Sequence, residues 1–235
     1  MSANPQAFTP ATVKHRSDRS SNLVLKHLEA NELVFAVVGP AGSGTSEVAG
    51  ALREQASTLP GETEVEIIKA STIIQEWARN EGISISADNK LLRAEGLQDA
   101  GDKIRESNTA GVALHLIRAI RDRRNASNKD LHRNGKASPS PFRVYILDSL
   151  KHPAEVELLR RVYREAFCLI GVVCETETRR IRLREAKCTN STPTDVERFI
   201  ARDEDADITH GQKVAETFHL ADFFCRQHTR QVGGW

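Results

Sequence analysis

The sequence predicts an α/β fold in which a mostly parallel five-stranded sheet carries helices on both faces. Three observations support this prediction: short apolar runs, helical periodicity between them, and a glycine-rich turn directly after the first run. Apolar runs without strict polar alternation are typical of strands buried on both faces, as in a parallel sheet. Strands that alternate with helices imply right-handed crossovers, which place helices against the sheet.

Each predicted strand is rich in apolar and β-branched residues, and a helical segment or a turn separates it from the next one. The glycine-rich turn after the first strand leads into the helical pattern "TSEVAGALREQAST". The predicted strands cover residues 33–39, 64–70, 143–149, 167–174 and 221–226.

The second helix is predicted in "STIIQEWARNEG", with Ser71 or Thr72 as its N-cap and Gly82 just past its end. The long segment that follows, "NKLLRAEGLQDAGDKIRESNTAGVALHLIRAIRDRRN", predicts two helices that meet near residues 107–109. The stretch 125–141 is polar and contains several serines, asparagines and prolines, so it is predicted to be a mobile loop.

Two later helices have recognisable first turns. Pro153 suits the first turn of a helix, because its missing N–H would have no intrahelical partner there. Thr194 and Glu197 have the spacing of a capping box. The predicted helices therefore continue the α/β order up to the last strand.

The composition bounds the domain organisation and the class of protein. A chain of 235 residues with a formal net charge of +1 suits one globular domain, and it favours neither nucleic-acid nor membrane binding. No apolar run reaches the roughly 18 residues that a membrane span needs. We expect a cytoplasmic protein with a disordered basic leader (1–22), one folded domain (23–230) and a C-terminal tail (231–235).

The cysteines do not predict a metal centre. They contain no C-x-x-C pair, and two of them lie in an apolar strand-like run, where a reduced thiol behaves as a small hydrophobe. We therefore expect reduced thiols and no zinc site in this chain. The cysteines are Cys168, Cys174, Cys188 and Cys225.

The turn after the first strand matches the phosphate-binding pattern G-x-x-x-x-G-K-[ST] except at one position. In the sequence "GPAGSGTS", residues 39–46, threonine takes the place of the lysine. Glycines let successive N–H groups turn toward an anion, and the following helix adds its N-terminal N–H groups. The missing lysine removes a charge that reaches the β- and γ-phosphates, so transfer should suffer more than binding. The predicted phosphate-binding residues of the loop are Gly39, Ala41, Gly42, Ser43, Gly44, Thr45 and Ser46.

The strand–turn–helix context predicts a three-layer α/β sandwich of the P-loop NTPase type. A glycine-rich turn without a ligand is the alternative interpretation of the loop. Ser46 takes the position whose hydroxyl meets Mg²⁺, and Asp148 ends a strand that a crossover would set beside the first. Both are predicted Mg²⁺ ligands, in company with a bound nucleoside triphosphate. For Asp148 the alternative is an N-cap or turn aspartate before the helix that starts at Pro153.

A segment rich in arginine, residues 175–187, follows the fourth strand and resembles the lids that close over phosphates in phosphoryl-transfer folds. Arg179 and Arg180 are predicted to contact phosphate, and one of the segment's arginines could replace the absent lysine. Candidates for a catalytic role are Asp148, Arg180 and Arg184. The alternative is a solvated charged helix, since three glutamates are interspersed with the arginines. The arginines are Arg179, Arg180, Arg182 and Arg184; the glutamates are Glu175, Glu177 and Glu185.

Four blocks of the sequence resemble the N-terminal P-loop domain of the anti-phage dCTP/dCMP deaminases. They are "FAVVGPAGSGTSEVAGAL", "VYILDSLKHPAEVELLRRVYREAFCLIGV", "RRIRL" and "RDEDADITHGQKVAETFHLADFF", and the second is the most specific. The resemblance covers about residues 31–226. More distantly, the order of elements is similar to that of dephospho-CoA kinase and nucleoside-monophosphate kinases.

The resemblance implies a kinase-like module that binds a nucleotide and regulates a zinc-dependent deaminase during phage infection. It matches Gly39, Gly44, Thr45 and Ser46 to the phosphate loop and Asp148 to the acidic strand end. The deaminase domain itself is absent from these 235 residues. The expected partners are a nucleotide, a deaminase domain or protein, and a second copy of the chain. Two alternatives stay open: an active small-molecule or nucleotide kinase, and an interaction domain with a vestigial loop.

Overall fold

The computed structural model describes residues 31–87, 89–133, 141–186, 192–206 and 208–227. In this part of the chain five strands form one sheet in the order β2-β3-β1-β4-β5, and every neighbouring pair is parallel. The predicted strands are confirmed, mostly within one residue at each end. The strands are β1 (Glu32–Val38), β2 (Thr63–Lys69), β3 (Phe142–Asp148), β4 (Phe167–Val173) and β5 (Phe223–Arg226).

The helices lie between the strands, as their periodicity predicts. A short 3₁₀ turn, Arg164–Ala166, leads into β4. The helices are α1 (Thr45–Ala56), α2 (Ala70–Asn80), α3 (Lys90–Ser107), α4 (Gly111–Arg133), α5 (Pro153–Tyr163), α6 (Thr176–Ala186), α7 (Pro193–Glu204) and α8 (Val214–Phe218).

The central strand β1 divides the core into two layers. Because side chains alternate along a strand, Val34, Ala36 and Val38 face one side of the sheet and Val37 faces the other. The first side packs against α2, α3, α4 and α5, and the second packs against α1. The fold is therefore the predicted three-layer α/β sandwich, with helices on both faces of a parallel sheet.

Parallel pairing also positions the candidate site. In the register of the sheet, Val37 of β1 lies opposite Asp148 of β3, and Val38 lies opposite Gly171 of β4. The carboxyl ends of these three strands therefore meet at one edge, where ligands bind in open α/β sheets. In the described part of the chain, no helix is both long and apolar enough to cross a membrane.

The prediction of a mobile loop over 125–141 is wrong for its first part. Helix α4 continues to Arg133, and residues 134–140 lie outside the described residues. A polar helix can persist where its side chains find partners on a neighbouring element. Arg124 donates to Glu32 of β1, and Ser127 donates to Glu64 of β2, so the polar stretch is tied to the sheet.

Two predicted N-caps also differ from the structure. Helix α7 begins at Pro193 and is capped by Thr192 with Asp195, two residues before the predicted pair of Thr194 and Glu197. Proline explains the earlier start, because Pro193 takes the first helical position. Helix α2 begins directly at the end of β2, with Lys69 as an N-cap that makes no side-chain bond, so neither Ser71 nor Thr72 caps it.

Candidate phosphate-binding site

The loop between β1 and α1 has the curvature that the glycine spacing predicts. Gly42 and Gly44 have φ angles of 80° and 89°, which residues with a Cβ rarely adopt. The Ser43 N–H donates to the Pro40 carbonyl at 3.0 Å, which closes the turn. A Cβ on Gly39 would lie 2.5 Å from Ser43 Oγ. A residue with a Cβ would therefore be strained at positions 42 and 44 and crowded at position 39.

Several N–H groups of the loop and of the following helix are free. Among the residues that the structure describes, no acceptor bonds the N–H of Gly42, Gly44, Thr45 or Ser46. Gly44 is the N-cap of α1 and provides no side-chain cap, so the first turn keeps its unsatisfied donors. An anion placed here would meet convergent donors and the positive end of a helix.

Ser46 and Asp148 meet at the edge of the sheet. Ser46 Oγ donates to Asp148 Oδ2 at 2.6 Å, although the two residues are 102 positions apart. Asp148 is buried, so its carboxylate is held in one place. The alternative N-cap role for Asp148 is not what the structure has, because His152 caps α5 in a capping box with Glu155.

The two arginines predicted to contact phosphate are bonded to carboxylates. Arg179 donates to Glu204 at 2.6 Å, and Arg180 donates to both oxygens of Glu197 at 2.8 and 3.0 Å. The Arg180 guanidinium lowers the pKa of Glu197, mainly through these hydrogen bonds. Both side chains therefore join α6 to α7, and each would have to leave an ion pair to reach an anion.

Arg182 is the arginine of α6 that reaches the loop. Its Nη1 lies 3.5 Å from the Ser43 carbonyl oxygen and 3.2 Å from the point that a Cβ on Gly44 would take. No carboxylate of the described residues pairs with it. Arg184 is exposed on the same helix. Helix α6, the predicted lid, thus lies directly against the loop, and Arg182 is the arginine whose side chain contacts it.

Helix α6 packs closely against the loop. A Cβ on Gly42 would lie 2.8 Å from the Arg179 carbonyl and 3.0 Å from Leu183 Cγ. Ala41 packs against a buried cluster that joins the start of α3 to α6 and α7. This second core holds the arginine helix over the loop. Its buried members are Leu91, Leu183, Val196, Phe199 and Ile200.

Two residues at the loop escaped the sequence prediction, Lys151 and Asp203. Asp203 accepts a hydrogen bond from the Ala41 N–H at 2.7 Å and another from Lys151 Nζ at 2.8 Å. Lys151 Nζ also lies 3.3 Å from the Gly39 carbonyl oxygen. A lysine three residues after Asp148, in "LDSLKHP", was the available signal, because it follows a strand that ends beside the loop.

Two buried polar atoms, one in the loop and one on α6, have no protein partner among the described residues. Ser43 Oγ and Arg179 Nε make no hydrogen bond to the residues that the structure describes. Ser43 is 1% exposed and Arg179 is 4% exposed. Buried polar groups are normally hydrogen-bonded, so a polar ligand or water next to either atom would be stabilised.

The side chains that meet at the loop, Ser46 and Asp148, offer only oxygen atoms to a metal ion. Within the described ranges, no three histidine, cysteine or acidic side chains cluster as a metal-binding group. The cysteines seen there, Cys168, Cys174 and Cys225, are free thiols, and burial raises the pKa of Cys168 and of Cys225. Cys188 lies outside the described residues.

Comparison with known proteins identifies no family. No protein-family model matches the chain, and no curated protein matches it significantly. The fold is similar to that of a shikimate kinase from Acinetobacter baumannii in complex with shikimate, at 12% identity and a TM-score of 0.45 over 87% of this chain and 88% of that one.

Two further solved structures are similar at lower scores. A gluconokinase from Sinorhizobium meliloti 1021 has 15% identity and a TM-score of 0.36 over 80% of this chain and 88% of that one. An uncharacterized protein from Eubacterium ventriosum has 13% identity and a TM-score of 0.39 over 83% and 87%. These likenesses are too weak to carry an argument about function.

Proposed function

We propose that this chain is a nucleotide-binding regulatory module, which binds the phosphates of a nucleoside triphosphate with Mg²⁺ and controls a deaminase that acts on deoxycytidine nucleotides in phage defence. The free N–H groups of Gly42, Gly44, Thr45 and Ser46 carry the nucleotide part of the proposal. They lie in a glycine-rich loop and in the first turn of the helix that follows, and such N–H groups can bind phosphate without any side chain. The deaminase part rests on the sequence blocks that resemble the anti-phage deaminases.

Ser46 and Asp148 fit a Mg²⁺ ion. Mg²⁺ prefers oxygen ligands and is usually bound through one or two protein groups together with substrate phosphates. A hydroxyl and a carboxylate in mutual contact, at 2.6 Å, supply such groups at the foot of the loop. When bound, the ion would neutralise phosphate charge, and Ser46 and Asp148 would hold the ion beside the loop.

A regulatory role is favoured over efficient transfer by the charges around the loop. Thr45 provides no cation, and Arg179 and Arg180 are engaged by Glu204 and Glu197. The transition-state charge therefore loses the stabilisation that a lysine at position 45 and free guanidinium groups at Arg179 and Arg180 would give. Binding depends more on the backbone donors and persists.

Thermal unfolding in the presence of nucleotides tests the binding part. A nucleotide at 100 times its Kd should stabilise the folded chain by about 2.7 kcal/mol. We expect a raised unfolding temperature with at least one NTP or dNTP in the presence of Mg²⁺. If none of the eight common NTPs and dNTPs shifts the transition, the binding proposal is wrong.

Deamination assays test the regulatory part. The rate of dCTP and dCMP deamination by a deaminase domain of the resembled family would be measured with and without this chain. We expect the chain to lower the rate and a bound nucleotide to alter that effect. A rate that is independent of both the chain and the nucleotide would refute regulation and leave nucleotide binding intact.

A kinase is the second candidate, and the cations near the loop favour it. Lys151 and Arg182 both lie within hydrogen-bond reach of loop carbonyls. Phosphoryl transfer to a nucleoside, nucleotide or small-molecule acceptor at about 1–100 turnovers per second would establish a kinase and refute the regulatory proposal.

An interaction domain with a vestigial loop is the third candidate. Phe223 and Phe224 on the edge strand β5 are 66% and 55% exposed, and exposed aromatic side chains are common at interfaces. Absence of any nucleotide-dependent shift, together with a stable complex with the deaminase, would favour this candidate.

A further inference from the structure

Lys151 approaches the phosphate loop from the segment that follows β3. Its Nζ lies 3.3 Å from the carbonyl oxygen of Gly39, the first glycine of the loop. The Lys151 side chain is only 19% exposed, so the ammonium group is held at the loop and does not extend into solvent. The loop therefore has an adjacent lysine, although its own lysine position holds threonine.

The lysine position of the motif points toward the same glycine. Thr45 Cγ2 lies 3.2 Å from the point that a Cβ on Gly39 would take. A longer side chain at position 45 would thus extend along the loop toward its first glycine. Lys151 reaches this glycine from the segment after β3, so its charge can take the place of a charge at position 45.

Asp203 shows that this spot accepts an anion. One carboxylate oxygen takes the Ala41 N–H at 2.7 Å, and the other takes Lys151 Nζ at 2.8 Å. The Asp203 side chain is 4% exposed. A buried carboxylate that bridges a loop N–H and a lysine makes the two kinds of contact that a phosphate oxygen makes in such a loop.

Arg182 lies at the other end of the loop. It approaches the Ser43 carbonyl and the start of α1, whereas Lys151 and Asp203 lie at Gly39 and Ala41. The two cations therefore cover different parts of the site, and only Lys151 already holds an anion that also contacts the loop backbone.

We propose that Lys151 is the phosphate-contacting lysine of this loop, and that the Asp203 carboxylate is a resident anion which a phosphate chain displaces. The assignment rests on the nucleotide site proposed above. Displacement frees the Ala41 N–H and the Lys151 ammonium for phosphate oxygens. Since Asp203 lies in the last turn of α7, next to Glu204, the partner of Arg179, its release would also loosen the contact between α7 and the loop.

Isothermal titration calorimetry with inorganic tripolyphosphate and Mg²⁺ tests the assignment without knowledge of the preferred base. We expect Lys151→Met to raise the Kd by about 10-fold to 100-fold, the factor for loss of a charge-assisted hydrogen bond. Asp203→Asn keeps the shape but removes the competing charge, so it should lower the Kd by about tenfold. Lys103→Met, at an exposed lysine of α3, is the control and should leave the Kd unchanged.

A rescue variant separates a phosphate-binding role from a structural one. Thr45→Lys should restore most of the affinity lost in Lys151→Met, and it should add less to the wild-type chain, because residues in one network are not additive. An unchanged Kd in Lys151→Met, or weaker binding by Asp203→Asn, would overturn the assignment. If Lys151→Met lowers the unfolding temperature, the Asp203→Asn measurement alone decides.

The failures of the two proposals are distinguishable. If neither the wild-type chain nor Asp203→Asn binds tripolyphosphate, the nucleotide site itself is wrong. If the wild-type chain binds and Lys151→Met binds equally well, the phosphate loop stands and only the role of Lys151 falls.

Discussion

Ser46 Oγ donates a 2.6 Å hydrogen bond to Asp148 Oδ2, which joins the first turn of α1 to the end of β3. The bond follows from parallel pairing, because β1 and β3 are neighbours and end at the same edge of the sheet. It places a hydroxyl and a carboxylate at the foot of a loop with free N–H donors.

The first prediction concerns the metal dependence of binding. Ser46→Ala should weaken nucleotide binding in Mg²⁺ more than binding in EDTA, because only the former uses the hydroxyl as a ligand. Calorimetry in both buffers gives the two changes in Kd. Ser57→Ala is a matched control, since Ser57 is the C-cap at the far end of the same helix and its hydroxyl donates to the Arg53 carbonyl. Equal losses in the two buffers would contradict the metal role.

The second prediction concerns the curvature of the loop. Gly42→Ala should destabilise the fold by about 1–3 kcal/mol, the cost of a Cβ at a positive φ, and more if the Arg179 carbonyl cannot move. A Cβ at this position would lie 2.8 Å from that oxygen. Denaturant unfolding measures the change, and thermal shift measures the accompanying loss of nucleotide binding.

Gly50 provides the control for this substitution. It lies inside α1, and a Cβ there would have no atom within 4 Å among its described neighbours. Gly50→Ala should therefore stabilise the chain by about 0.5–1 kcal/mol. If Gly42→Ala does not lower the free energy of unfolding while Gly50→Ala raises it as expected, the loop tolerates a different shape.

The third prediction concerns a buried ion pair beside the site. Arg105 Nε donates to Glu155 Oε1 at 2.8 Å, and both side chains are almost fully buried. Glu155 also accepts the N–H groups of Lys151 and His152 through Oε2, so it orders the segment that carries Lys151. Arg105→Met should cost about 3–5 kcal/mol of unfolding free energy, because it leaves a buried carboxylate without its cation.

An exposed pair is the control for Arg105. Arg121 and Asp122 contact each other on the surface, with side chains 62% and 66% exposed. Arg121→Met should change the unfolding free energy by less than about 1 kcal/mol. Similar effects of the two substitutions, measured by urea unfolding, would contradict the structural role of the buried pair.

The fourth prediction concerns the pH dependence of stability. Burial, and then the charge of Arg118, lower the pKa of His115 below its ordinary value of 6.5. The unfolded chain therefore binds this proton more readily, and the free energy of unfolding should fall as the pH drops below about 6.5. His115→Gln should flatten the slope between pH 7 and pH 5.5, and the exposed His219 is the control position. An unchanged slope in His115→Gln would refute this source of pH dependence.

Much of the fold was predictable because its determinants are local. The apolar runs place the strands, and the glycine spacing of residues 39–44 gives the turn that the structure has. One error has a local cause, and the other depends on long-range contacts. Pro193 moves a helix start by two residues, and long-range contacts of Arg124 and Ser127 extend α4 into a stretch that is polar enough to be a loop.

The partners of the charged residues could not be predicted in the same way. Four arginines in one segment look equivalent in the sequence, yet Glu204 and Glu197 engage two of them and Arg182 alone reaches the loop. Such pairings depend on which helices the second core brings together, and no periodicity encodes that choice.

The sequence by itself determined the layout of this protein: a parallel sheet, a phosphate-type turn after its first strand, and an aspartate at the end of the third. Tertiary structure decided which charges meet that turn. Lys151 and Asp203 come to the loop from 112 and 162 residues away along the chain. Local patterns reflect backbone geometry and burial, which neighbours in sequence share. A charge constellation depends on the packing of distant elements, and here that packing sets a lysine and a competing carboxylate beside a loop that lacks its own cation.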